Sequence, residues 1–198
     1  MKKLLVLVSL LFSSLVGAVE VKDGARVDAD NLYPKVRLET SMGVIVVELN
    51  RYKAPITTNN FLRYVANSAY DNTVFHRIIP DFVVQGGGYD AEMKELPVYE
   101  SIFNESGNGE KNTLYTIAMA RQNQPHSAGR QFFINVADND SLDPGRTWGY
   151  AVFGSVVEGM DVVDKMAQVE TRFDDTLGWN DVPVQPVMLI KARVVKSN

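Results

Sequence analysis

Two periods alternate along the chain. Residues 36–40 and 43–49 are rich in Val, Ile and Thr and are separated by Ser41-Met42, with Gly43 able to take positive φ, so they predict a β-hairpin. After Pro55 the period lengthens. Ile56, Phe61, Leu62 and Val65 recur at helical spacing and proline suits a first helical turn, which predicts a helix over about 56–66. Period-2 character returns at 73–79 and 82–85 around Pro80-Asp81, and Gly86-Gly87-Gly88 ends it. A long connection containing Gly, Asn and Glu runs to Asn112. Further strand-like runs follow at 116–120, 131–136, 151–157 and 187–195, and Met160, Val163 and Met166 mark a second helix within 159–168. About eight short strands with two helices and no regular βαβ alternation predict an all-β fold. The expected form is a closed antiparallel barrel whose ends the helices cover.

The first 34 residues belong to neither period. Lys2 and Lys3 precede an uncharged apolar run over 4–16 that ends in Val16-Gly17-Ala18, the order of a signal peptide. That run is shorter than the roughly 20 residues an anchored span needs, so no stable membrane anchor is expected. The expectation is an exported protein, periplasmic or secreted, with residues 1–18 as the signal. Residues 19–34 are polar and without apolar period, which reads as a linker or loosely attached arm ahead of a domain over 35–196.

Composition narrows the function. The chain has 198 residues, 45% hydrophobic and 22% charged, enough for one domain with a real core. Lys and Arg number 20 against 24 Asp and Glu, and loss of Lys2 and Lys3 with the signal would move the balance from −4 to −6, a sign that predicts no nucleic-acid partner. There is no cysteine, hence no disulfide framework and no acylated Cys. The two histidines lack ligand spacing, and Asp138, Asn139, Asp140 and Asp143 lack the glycine and distal glutamate of an EF-hand, so no metal is expected. Gly86 to Gly88 is not followed by the Lys-Ser/Thr of a phosphate loop. No G-x-S-x-G or H-E-x-x-H sequence occurs, and no cofactor is expected.

Arg77 stands out because alternation would place it on one strand face with Phe75 and Ile79. Pattern leaves two readings of it open: a rim arginine whose stem covers apolar surface, or a cation set in an apolar site for chemistry.

Three strings bear on that choice. FHRIIPDFVVQGG at 75–87, IAMARQNQPHSAGRQFFIN at 117–135 and GYAVFGSVVEGMDVVDKM at 149–166 resemble the three signatures of the cyclophilin family, in the same order within a match over about 36–194. The resemblance implies an eight-stranded barrel capped by two α-helices and a peptidyl-prolyl cis-trans isomerase acting on proline-containing polypeptides, here unfolded exported proteins, as a monomer. It implies that Arg77 is catalytic and that Phe82, Val83, Phe133 and Leu142 form a slot for the proline ring. By the same likeness Gln85 and Gln131 hold Arg77 or the substrate backbone, Ala120 and Arg121 pair with the peptide through main chain, His76 lies at the edge, and Tyr150, where eukaryotic members often carry histidine, is a substrate-binding position. Bond rotation needs no proton transfer, so His76 is read as a packing group. Two positions depart from the family's pattern: Ser141 replaces a large aromatic at the slot's rim, and Arg130 replaces a small residue before Gln-Phe-Phe. With a polar or cationic rim, the alternative is a peptide-binding module or holdase with little catalysis.

Overall fold

The computed structural model describes residues 21–175 and 177–195, so the predicted signal lies outside the described residues. Strands β1 (Lys35–Thr40) and β2 (Gly43–Leu49) form the first hairpin, followed by helix α1 (Pro55–Ala66). Next come β3 (Thr73–Phe75), β4 (Arg77–Ile79), β5 (Val83–Gly86), β6 (Thr116–Met119), β7 (Phe132–Asn135) and β8 (Val152–Glu158). Helix α2 (Met160–Ala167), β9 (Thr171–Asp174), β10 (Trp179–Pro183) and β11 (Val187–Val195) complete the chain.

The principal sheet is antiparallel, with nine strands in the order β3-β11-β1-β2-β8-β6-β7-β5-β4 among the described residues. The ninth strand arises because the run predicted over 73–79 breaks at His76. Its halves, β3 and β4, sit at opposite ends of the order yet only one residue apart, so the sheet returns on itself. Two backbone bonds seal that seam: Val74 N–H donates to Tyr89 O at 3.0 Å and Gly87 N–H to Val74 O at 3.3 Å. The result is an all-β barrel with two helices, as expected.

The break also corrects the predicted facing. Phe75 turns into the barrel at 1% exposure, and Ile78 is fully buried, while Arg77 between them stays on the outer face. Inside, the Phe61 ring meets Tyr70, Phe132 and Phe153 at centroid distances of 5.1, 5.3 and 5.2 Å. Such rings dominate core energetics through area and edge-to-face contact. The first N–H groups of α1 lack intrahelical acceptors; Glu105 takes Ile56 N–H at 3.1 Å and Thr57 N–H at 2.7 Å, an anion placed at the positive end of the helix.

Two segments differ from the sequence reading. Residues 21–34, read as a loose linker, lie against the barrel. A Cβ at Gly24 would come within 1.8 Å of Asn59 O on α1, so only glycine fits. Buried Arg51 donates to Val27 O at 2.7 Å, Asp28 O at 2.6 Å and Asn31 O at 2.7 Å, which straps the segment down. The second is the hairpin β9–β10, where no strand was predicted. It forms a separate two-stranded sheet, and β10 lies against β4.

Candidate active site

The β4–β5 hairpin turns at Pro80-Asp81, where Asp81 has φ 55° and Phe82 N–H returns to Ile79 O at 3.2 Å. This fixes the register Arg77↔Gln85, which β5–β7 extends to Phe133 and β7–β6 to Ala118. Because strand side chains alternate, these four share the outer face while Ile78, Val84, Ile134 and Ile117 fill the barrel.

On that outer face a second apolar cluster, distinct from the core, joins Val83, Ala118, Phe133 and Val152 to Phe82, Ala120, Leu142 and Tyr150. A cavity of about 320 Å³ opens over it, lined by Arg77, Phe82, Val83, Gln85, Ala120, Arg121, Phe133, Leu142 and Tyr150. Nine predicted site residues, drawn from five separate segments, thus surround one hollow. It is floored by carbon, with the Phe133 and Tyr150 rings 5.7 Å apart near edge-to-face, and carries Arg77 and Arg121 on its walls. The other two, His76 and Gln131, lie just behind, lining an adjoining cavity of about 420 Å³ that also borders Arg77 and Gln85.

Arg77 is oriented through a relay. Gln131 Oε1 accepts from Gln85 Nε2 at 2.9 Å, and Gln85 Oε1 accepts from Arg77 Nη1 at 3.3 Å. Its side chain remains 40% exposed, with Asp181 Oδ2 3.9 Å from Nε. His76 is 4% exposed, packed edge-on to Tyr89 at 4.7 Å. Burial above all, with the neighbouring Arg77 cation acting in the same direction, lowers its pKa to about 4, so the imidazole is neutral near pH 7.

The Arg121 side chain has a larger part than a main-chain contact requires. Its guanidinium lies 4.6 Å over the Tyr150 ring and donates to Gly149 O at 3.1 Å and Trp148 O at 2.6 Å, so it ties one wall of the hollow to the 140–150 loop. Arg130, expected at the rim, instead points inward at 4% exposure. It donates to Gly87 O at 2.6 Å, to Pro97 O at 2.8 Å and to Ala69 O, and lies 5.3 Å over the Tyr64 ring. Arginine there staples three loops together and adds no cation to the rim, which leaves Ser141, exposed and next in the chain to the lining residue Leu142, as the departure nearer the hollow. Sequence reading also missed Tyr89, Trp179 and Asp181, which line the adjoining cavity; the half-exposed hairpin carrying Trp179 and Asp181 has no apolar alternation to reveal it.

Comparison with known proteins places this geometry. A family model described as cyclophilin type peptidyl-prolyl cis-trans isomerase/CLD matches residues 35–194. A peptidyl-prolyl cis-trans isomerase of Streptomyces antibioticus is 51% identical over 164 residues, covering 81% of this chain and 98% of that protein. One from Acinetobacter baylyi is 50% identical, covering 82% and 86%, and isomerase B of Escherichia coli is 48% identical, covering 78% and 95%. A crystal structure of a Cryptosporidium parvum cyclophilin type isomerase superposes with TM-score 0.69 at 22% identity, covering 84% of this chain and 99% of that one, a likeness of fold. The barrel is of the fold that a cyclophilin type isomerase adopts, and the chain belongs to the cyclophilin-type peptidyl-prolyl cis-trans isomerase family. Its reaction is rotation about the peptide bond that precedes proline.

Proposed function

We propose that Arg77 is the catalytic residue of this isomerase, that the hollow over Val83 and Phe133 seats the proline ring, and that the enzyme is exported and acts as a monomer on unfolded exported proteins. The observation that carries the catalytic part is a half-exposed guanidinium held by Gln85 at the wall of a carbon-lined hollow of about 320 Å³.

The physical reason lies in the amide. Resonance sets a rotation barrier of roughly 18 to 20 kcal/mol, and at the twisted midpoint the proline nitrogen becomes pyramidal and regains its lone pair. A fixed N–H donor aimed at that nitrogen has an acceptor only at the midpoint, so it stabilises the transition state without binding either planar form more tightly. The apolar floor holds the ring while the acyl side turns. Neutral His76 is not required as acid or base, because no bond to hydrogen changes.

Exchange between the cis and trans forms of a short X-Pro peptide, followed by NMR, tests this reading. Arg77→Ala is expected to lower kcat/KM by about 10² to 10³, the usual effect of deleting a preorganised donor. Rates equal to wild type would reject the role of Arg77. The export reading rests on Lys2, Lys3, the apolar run over 4–16 and the small residues that end it. It predicts that a C-terminally tagged full chain is recovered outside the cytoplasm about 18 residues shorter; an uncut cytoplasmic chain would overturn it.

A further inference from the structure

The hairpin β9–β10 buries only Val182 and Pro183, contributes no strand to the barrel, and still lies against β4, the strand that carries Arg77. Its internal register is uneven. Trp179 pairs with Asp174 and Val182 with Arg172, so Asn180 and Asp181 together face the single residue Phe173. An extra residue of this kind is a β-bulge, a device that re-aims a side chain and recurs beside active sites. Asp181 also has φ 64°, the left-handed region that side-chain-bearing residues other than Asn and Asp rarely adopt. Bulge and positive φ act at the same residue, and its carboxylate ends 3.9 Å from Arg77 Nε.

The placement is anchored next door. The Trp179 ring packs on Tyr89 at 5.1 Å and on His76 at 6.3 Å, and His76 is the residue preceding Arg77. The hairpin is therefore referenced to the backbone of the residue it serves. Arg77 and Gln85 border both the slot and the adjoining cavity, whereas Asp181 lines only the latter, on the side of the guanidinium away from the slot. Gln85 holds Nη1 at a long 3.3 Å, the Asp181 carboxylate faces the Nε edge, and Nη2 has no protein partner among the described residues. Two weak holds on two edges of a planar group fix its plane better than either does alone.

We propose that Asp181 is a positioning residue for the isomerase reaction: the bulged hairpin presents its carboxylate to the back of Arg77, so that the free edge of the guanidinium is turned to the proline nitrogen. This inference rests on the catalytic reading of Arg77.

Two substitutions test it without disturbing the backbone, since Asn and Gly both accept positive φ. Asp181→Asn removes only the charge and Asp181→Gly removes the side chain. In the NMR exchange assay at low ionic strength, both are expected to lower kcat/KM by about three- to tenfold, mainly through kcat, because the effect is on orientation and not on ring binding. Raising the salt is expected to narrow the gap by lowering the wild-type rate, as screening weakens a half-exposed ion pair. In an Arg77→Ala background, with enzyme concentration raised to keep catalysis above the spontaneous rate, Asp181→Asn is expected to have no further effect. Wild-type rates in both Asp181 variants would overturn the proposal, as would an equal fold-loss in the Arg77→Ala background or a loss that appears only with loss of folded protein. Wild-type activity of Arg77→Ala would instead remove the reading on which it rests.

Discussion

His76 carries two consequences of burial beside a cation. Its pKa falls from the ordinary 6.5 to about 4, so above pH 6.5 both folded and unfolded chains hold a neutral ring. Between pH 6.5 and 4 only the unfolded chain takes up the proton, so stability declines as pH falls, by about 1.4 kcal/mol per unit at most. Denaturation midpoints measured from pH 7 to pH 4.5 are expected to drop accordingly, and His76→Phe, which keeps a ring against Tyr89, is expected to flatten that part of the decline. A slope unchanged in His76→Phe would mean that carboxylates elsewhere account for it. At this scale the sequence was most informative where residue type and chemistry coincide, as for Arg77, Gln85 and Phe133. It misled at Arg130, because a cation in a string reads as surface, and nothing in the string shows the carbonyls of Ala69, Gly87 and Pro97 converging on it.

The elements legible in the sequence are those with one wet and one dry side. The helices and the strands of the first hairpin emerged almost at their observed bounds because each buries one side of a clear period. The hairpin β9–β10 and the segment 21–34 were invisible for a shared reason: their attachments are not apolar stripes. One docks through Trp179 and Asp181, the other through backbone carbonyls accepting from Arg51. The second attachment predicts a stability effect remote from catalysis. Arg51→Ala removes the donor that straps three carbonyls, and at about 1 to 1.5 kcal/mol per bond the variant is expected to be less stable by about 3 to 4.5 kcal/mol. Chemical denaturation measures this directly, and limited proteolysis is expected to cleave within 21–34 first. Unaltered stability would mean that the segment holds on by Gly24 and its neighbours alone.

For the whole molecule, the sequence predicted a closed antiparallel barrel, yet the means of closure could not be read from it. A run of seven residues over 73–79 looks like one strand. Only in three dimensions does His76 divide it so that one half completes the sheet with β11 and the other with β5. The same division puts Phe75 inside and Arg77 outside, so closure of the barrel and exposure of the guanidinium come from one break. The seam has a further effect. Polypeptide that has not yet folded is rich in unpaired backbone groups, and a free strand edge is a template on which such chains add and accumulate. Here the end strand β3 is bonded through Val74 to Gly87 and Tyr89, just beyond β5, and β10 lies against the other end strand, β4. A passing chain is therefore offered no free backbone ladder along Val74 at the seam, and what it meets on the outer face is a hollow of side chains.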